Sequence, residues 1–421
     1  MRARGIAANS ALALGGDLAS KAGALLLVFL AARLFPVREF AVLATALAAA
    51  GLLTSALDCG SGTLLSRDGA TGAPARGSLF RALLEARLPL AAALLLGAPL
   101  VGSWLGRPLT ALGVAALSLS GAISLSLLGL YRSAQDLRPE AVQRLCSALL
   151  SVGAVALCGV LAPRADLLLA ALASISLVTL LPLAVRAGSI ARLECAVSAV
   201  TALRAAIPIG LLALATIAYY RSGTLALAVL ADAPATAAFS VAASLAFGLL
   251  SLPNAITTAL LPRLSAERDS SDLVSVARRA LGWTVATALP LSAAAAAAGP
   301  LALPLLLGPE YERAGLPFAL LCAGVPVIAA SGVIGTALLA LGRLRDLALQ
   351  VACSLLVNIA ALAVLVPSLG AVGASLATVL CEAAGLLLLL RAARRALPGL
   401  ITIRPLPLRQ PLEAPEAATG P

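Results

Sequence analysis

Twelve apolar stretches follow one another almost end to end along the 421 residues, parted by short polar gaps. They cover 9–35, 40–64, 82–104, 109–131, 141–162, 166–187, 205–230, 235–262, 281–307, 314–341, 347–366 and 371–390. A bilayer core about 30 Å thick asks about 20 apolar residues of a helix. The stretches lack period-2 alternation, and Ala and Leu dominate over β-branched residues, so strands are the poorer reading. The pattern predicts an all-α polytopic membrane protein with twelve transmembrane helices. The ninth stretch, interrupted by Pro290, Pro300 and Pro304, is expected to be the least regular.

The basic residues fall in every second gap. With the N-terminus inside, 23 of the 30 lie on cytoplasmic flanks and only Arg33, Arg38, Arg107, Arg164 and Arg313 lie outside. The positive-inside rule therefore predicts that both termini are cytoplasmic. Lys21 and Arg221 complete the count from within stretches. The hydrophobic fraction of 61% exceeds the roughly 45–50% of globular chains. The net charge of +11 is accounted for by basic loops facing anionic membrane lipid, without nucleic acid as a partner.

Several chemistries are excluded. The chain has no His, which removes imidazole catalysis and histidine metal sites. Its one Lys follows Ser20, so no Walker A loop is present. The seven Cys show no C-x-x-C spacing and read as small apolar residues. No catalytic residue, metal or cofactor is expected. The opening MRAR and apolar run imitate a signal peptide, but the run is too long and carries Asp17 and Lys21, so it reads as the first span. The Pro-rich end, 398–421, reads as a disordered cytoplasmic tail.

A gap near the middle divides six stretches from six, predicting an N-terminal bundle over 1–190, a cytoplasmic linker over 191–203 and a C-terminal bundle over 204–397. Self-similarity crosses it. FAVLATALAAAGLL from Phe40 parallels FSVAASLAFGLL from Phe239, at offsets of 199 at the Phe, 197 at the Gly and 196 at the following Arg67 and Arg263. Two pseudo-symmetric six-helix bundles around a cavity are a transporter architecture.

Five ionisable residues lie deep within stretches: Asp17, Lys21, Asp58, Arg221 and Glu382. Each costs about 2.5–3.5 kcal/mol on an insertion scale unless it finds a partner or a wet cavity. Asp17 and Lys21 are four apart and can pair on one helical face. That pair either neutralises itself or lines a polar cavity in which Lys21 meets an anionic ligand. Arg221 has no acid within four residues. The repeat offsets carry Lys21 to 217–220, beside Arg221, so the first and seventh helices offer cations at similar depth. Two such cations, with Asp17 beside them, suit a diphosphate; Arg221 paired to Asp58 or Glu382 is the competing arrangement. Asp58 and Glu382 are candidates for ion coupling, against ordinary packing contacts.

LFPVREFAVLATAL (34–47), AYYRSGTLAL (218–227), ALLPRLS (259–265), LLGPEYERAG (306–315), SLGAVGASLAT (368–378) and Asn358 carry a further pattern. Together they resemble the polysaccharide-transporter and O-antigen flippase family of the multidrug/oligosaccharidyl-lipid/polysaccharide exporter (MOP) superfamily. Pro36 stands where that family has a glycine region, and Asp58-Cys59-Gly60 where it has Asp-x-Gly. Arg221 and Asp58 fall on motif positions. The resemblance implies a multi-pass protein of the bacterial inner membrane that moves a polyprenyl-diphosphate-linked oligosaccharide by alternating access. O-antigen, capsule or exopolysaccharide export would follow, beside a polysaccharide polymerase or ligase. An ion-coupled drug or metabolite antiporter of the same superfamily is the nearest alternative. A membrane glycosyltransferase or polymerase is the more distant one, since the outer gaps are short.

Overall fold

Long apolar runs in a medium without water must satisfy their own backbone, and helices do this within one segment. The computed structural model describes residues 3–68, 73–190, 198–251, 253, 254, 260, 264 and 272–400, and its regular structure there is entirely helical. The helices are α1 (Ala3–Leu34), α2 (Val37–Asp58), α3 (Ser61–Asp68), α4 (Ala73–Trp104), α5 (Pro108–Ser133) and α6 (Arg138–Leu161). They continue with α7 (Ala165–Ile190), α8 (Ala199–Leu230), α9 (Ala233–Gly248) and α10 (Asp272–Leu307). A 3-10 turn (Pro309–Ala314), α11 (Gly315–Ala340) and α12 (Leu344–Ala396) follow. Among the described residues, nine helices are long and apolar enough to cross a membrane.

Some boundaries differ from the sequence pattern. The second stretch breaks at Cys59 and Gly60, both left-handed at φ 48° and 78°, and restarts as α3. The ninth runs as one helix, α10, with its three prolines inside. α8 begins at Ala199, so the last five residues of the expected linker are helical, while 191–197 lie outside the described residues. So do most of the second half of the eighth stretch and the tail from 401 onward.

α12 is 53 residues long, about 80 Å at 1.5 Å per residue, far more than a bilayer. It contains a break at Gly370 (φ 54°, ψ −127°), a conformation suited to glycine. A Cβ on Gly373 would strike the Leu365 carbonyl, eight residues back. In a continuous helix those levels are about 12 Å apart, so the chain doubles back there into two arms, 344–369 and 371–396. These correspond to the last two apolar stretches.

Contacts between small residues show the direction of each helix. A Cβ on Gly16 would meet Ala141, one on Gly23 would meet Ala148, and one on Gly159 would meet Leu34. All three pairs are separated by 125 positions, so α1 and α6 run parallel, in one register, across about 27 Å. Small residues permit this close approach in lipid. The α2–α3 segment runs parallel to α5, through Ser118 Oγ donating to Ala50 O (3.3 Å) and Gly62 against Leu125. It runs antiparallel to α8, through Gly51 at Arg221 and Gly60 at Ala206 and Gly210.

The same contacts gather alternate loops at one end. Glu39, at the start of α2, accepts from Arg107 (3.2 Å) and from the Ala165 amide (2.8 Å). Gly308 approaches the Arg33 guanidinium, and Gly370 approaches Ala235. The connections at 35–36, 105–107, 162–164, 231–232, 308–314 and 370 therefore share one end. There the apolar core is continuous among the described residues, including Phe35, Phe40, Leu168, Phe239, Leu307 and Tyr311. Toward the other end it divides into separate clusters.

Candidate transport site

The five ionisable residues do not form one cluster. Asp17 binds Lys21 (2.8 Å) and also Arg144 of α6 (2.9 Å). Arg144 continues to Glu140 (2.9 Å), and Glu140 to Arg132 of α5 (2.6 Å). Lys21 and Asp17 thus begin a charge chain that crosses from α1 to α6 and α5. The sequence shows the local pair but not Arg144, because 127 positions separate Arg144 from Asp17 and only the α1–α6 register brings them level.

Asp58 faces Arg87, not Arg221. Arg87 Nη2 donates to Asp58 Oδ1 (2.8 Å) and to its carbonyl (3.1 Å), while Nη1 donates to Ala122 O (3.0 Å). Asp58 Oδ1 also accepts from the Gly62 amide (3.2 Å), capping the first turn of α3. Both side chains are buried. The sequence pattern places Arg87 on a cytoplasmic flank, whereas α4 begins at Ala73 and carries Arg87 well inside it.

Glu382, on the second arm of α12, is buried and accepts a short hydrogen bond from the Tyr219 hydroxyl. Cys381 Sγ lies 3.3 Å from the same oxygen. Tyr220 stacks edge-on against Tyr219 (4.9 Å) and Phe247 of α9 (5.6 Å). The two tyrosines precede Arg221 and do not stand out in the sequence as site residues. Their adjacency to an intramembrane cation is the available signal.

Arg221 makes no hydrogen bond or ion pair with any described residue. Its surface is exposed although protein atoms crowd it on most sides. A Cβ on Gly51 of α2 would lie 3.5 Å from its Nε, so the absence of a side chain at Gly51 leaves the guanidinium its room. On α8, Arg221 lies nine residues from the helix end at Leu230; on α1, Lys21 lies thirteen from Leu34. The four-residue difference is about 6 Å, roughly one turn.

Two of these contacts recur across the chain. Gly51 on α2 faces Arg221 on α8, and Gly248 on α9 faces Leu25 on α1, each about 196–197 positions apart from its counterpart. Gly113 against Leu169 likewise returns as Gly324 against Val379, 210–211 positions on. Leu25 therefore occupies the place matching Arg221, and Lys21 sits one turn from it. Solved structures show the same arrangement of helices. A lipid II flippase MurJ in an inward closed conformation aligns with a TM-score of 0.71 at 11% identity, covering 90% of this chain and 86% of the other.

The fold is that of the MOP transporters.

A Vibrio cholerae MATE transporter, VcmN, aligns at TM-score 0.63 and 16% identity, over 93% of this chain and 97% of the other. A MOP-superfamily transporter from Pyrococcus furiosus aligns at 0.62 and 13%, over 93% and 96%. No family model and no curated relative matches the sequence. The likeness is one of fold, and the cation Arg221 stands on α8 of that fold.

Proposed function

We propose that the chain is a flippase for polyprenyl-diphosphate-linked oligosaccharide in the bacterial inner membrane, working by alternating access. The observation that carries this reading is Arg221, a guanidinium within an apolar helix, exposed and with no protein partner among the described residues. An unpaired charge there is tolerated when it faces water or a ligand of opposite sign. A guanidinium binds phosphate oxygens in a bidentate fork. The fold shared with a lipid II flippase supports a lipid-linked substrate. Lys21 and Asp17, one turn away in level across the molecule, would meet the second phosphate or the first sugar.

The recurring glycine contacts support two six-helix bundles, 1–190 and 204–397, that rock against each other across the 191–203 linker. The basic distribution supports cytoplasmic termini. The continuous core at the sparsely basic end supports closure toward the outside. O-antigen, capsule or exopolysaccharide precursors are the proposed cargo, with a polymerase or ligase downstream. Residues 398–421 form the proposed cytoplasmic tail.

Glu382 favours a second reading, an ion-coupled drug or metabolite antiporter, because a buried carboxyl on Tyr219 is suited to exchanging a proton, with Asp58 as the other coupling candidate. The test is reconstitution into proteoliposomes with a fluorescent polyprenyl-diphosphate sugar. Arg221→Ala is expected to cut transbilayer movement at least tenfold and Lys21→Ala by less, with the fold intact by size exclusion. Unchanged movement in Arg221→Ala would remove the site. Movement of a cationic drug under a proton gradient, abolished by Glu382→Gln, would favour the antiporter.

A further inference from the structure

Tyr220 stands one residue before Arg221, which turns it about 100° around α8 from the guanidinium. Nine residues to either side, on the opposite face, Leu211 and Val229 are 61% and 82% exposed, the surface expected against lipid chains. Thr224 and Leu227, four and seven residues on, share the face of Tyr220 and are buried. Thr224 Oγ1 lies 3.5 Å from Ser240 Oγ of α9. Tyr220 is nonetheless 39% exposed. Four and seven residues the other way, Thr216 is half-buried and Ala213 is exposed. The protein-facing stripe of α8 is therefore closed at Thr224 and Leu227 and open from Tyr220 to Ala213.

The ring at the head of this opening is held in place. Tyr219 and Phe247 meet it at interplanar angles of 65° and 82°, so neither lies flat over it. Tyr219 is itself fixed by its hydrogen bond to Glu382. The Tyr220 hydroxyl makes no hydrogen bond with any described residue. Phe247 precedes Gly248, which meets Leu25 of α1 one turn from Lys21, so the aromatic group reaches toward the helix that carries the second cation.

Charge and shape narrow the guest. An aromatic face is electron-rich, and the C–H face of a pyranose, slightly positive and apolar, packs on it while the sugar hydroxyls bond at the rim. The neighbouring Arg221 disfavours a cationic guest and favours a ring joined to phosphate. The buried acid nearby, Glu382, is engaged by Tyr219.

We propose that Tyr220, held edge-on by Tyr219 and Phe247, is the platform on which the first sugar ring of the cargo packs, its hydroxyl bonded to a sugar hydroxyl while Arg221 holds the adjoining phosphate. This rests on the flippase reading and adds to it a residue that senses the sugar. Tyr220 then sets a preference for glycosylated over bare lipid diphosphate, which Arg221 alone does not provide.

The test is equilibrium binding to the full chain in detergent micelles, with polyprenyl diphosphate carrying one N-acetylhexosamine and with bare polyprenyl diphosphate. The native chain is expected to prefer the glycosylated lipid about fivefold. Tyr220→Ala should bring that ratio to about one, and Tyr220→Trp, which keeps a ring of the same kind, should retain it. Arg221→Ala should weaken both lipids by the same factor. A preference that survives Tyr220→Ala, or that Tyr220→Trp loses as fully, overturns the platform. Equal binding of the two lipids by the native chain overturns the platform and leaves the flippase reading standing, whereas binding of neither removes both. Uridine diphosphate or tetraphenylphosphonium held more tightly by the native chain than by Tyr220→Ala would make the guest a base or a cation and overturn the sugar.

Discussion

At the scale of single residues, Arg221 is held by what is missing around it. Gly51 contributes no side chain, and a Cβ added there would approach the guanidinium to 3.5 Å, an ordinary contact. Gly51→Ala is therefore expected to keep transport near the native rate. Gly51→Leu fills the space of the guanidinium and should reduce flipping as severely as Arg221→Ala, in the same proteoliposome measurement. Arg221 is legible in the sequence because a lone cation in an apolar run has no local explanation. Arg87 is not legible, since it lies near the edge of the third stretch beside other basic residues and reads as a flank charge until α4 is seen to begin at Ala73. The room that Gly51 leaves is also invisible, as nothing in an alanine-rich helix says which small residue faces a charge.

At the scale of elements, the Asp58–Arg87 pair ties the α2–α3 corner to α4 and, through Ala122, to α5. Removing one member leaves the other buried and charged, which costs about 3–5 kcal/mol. Arg87→Met and Asp58→Leu should each lower the unfolding midpoint in detergent sharply. The double variant should recover most of the loss, because replacing both charges with apolar side chains is often nearly neutral. Elements are legible wherever apolar length decides them, including the two arms of α12, which the sequence separates at the glycine-bearing segment around Gly370. The break before α3 is not, because Cys59 and Gly60 interrupt a stretch without changing its hydropathy. The three prolines of α10 mislead in the other direction, since a helix whose neighbours and length absorb the lost hydrogen bonds can run through them.

At the scale of the whole molecule, the shared end of the loops around Glu39, Arg107 and Ala165 makes orientation testable. Glu39→Cys and Arg164→Cys should label with an impermeant maleimide added outside intact cells, and Arg138→Cys only after the membrane is opened. Labelling of Arg138→Cys from outside would invert the orientation. The alternation itself is legible from the spacing of arginines, whereas the partners that bring the loops together require the fold. The repeat is partly legible. Its sequence offsets are the ones at which Gly51–Arg221 and Gly248–Leu25 recur, but the one-turn displacement of Lys21 from the matching position follows only from the contacts.

The corner at Cys59–Gly60 meets α8 at Gly210, where a Cβ would run into the Cys59 backbone. Around it α8 presents only Ala202 and Ala206 to Leu64, Leu65, Ala82 and Leu83 among the buried residues. On the α8 side this seam is lined mainly by small residues, with Ile209 only partly buried against it. Parting it breaks few interlocking contacts and wets little hydrocarbon. The opposite end, filled by aromatic and leucine side chains from many helices, must disengage them together. In the proposed alternating-access cycle the two ends therefore open with unequal barriers, and the slow step belongs at the end that holds Phe35, Phe40 and Tyr311.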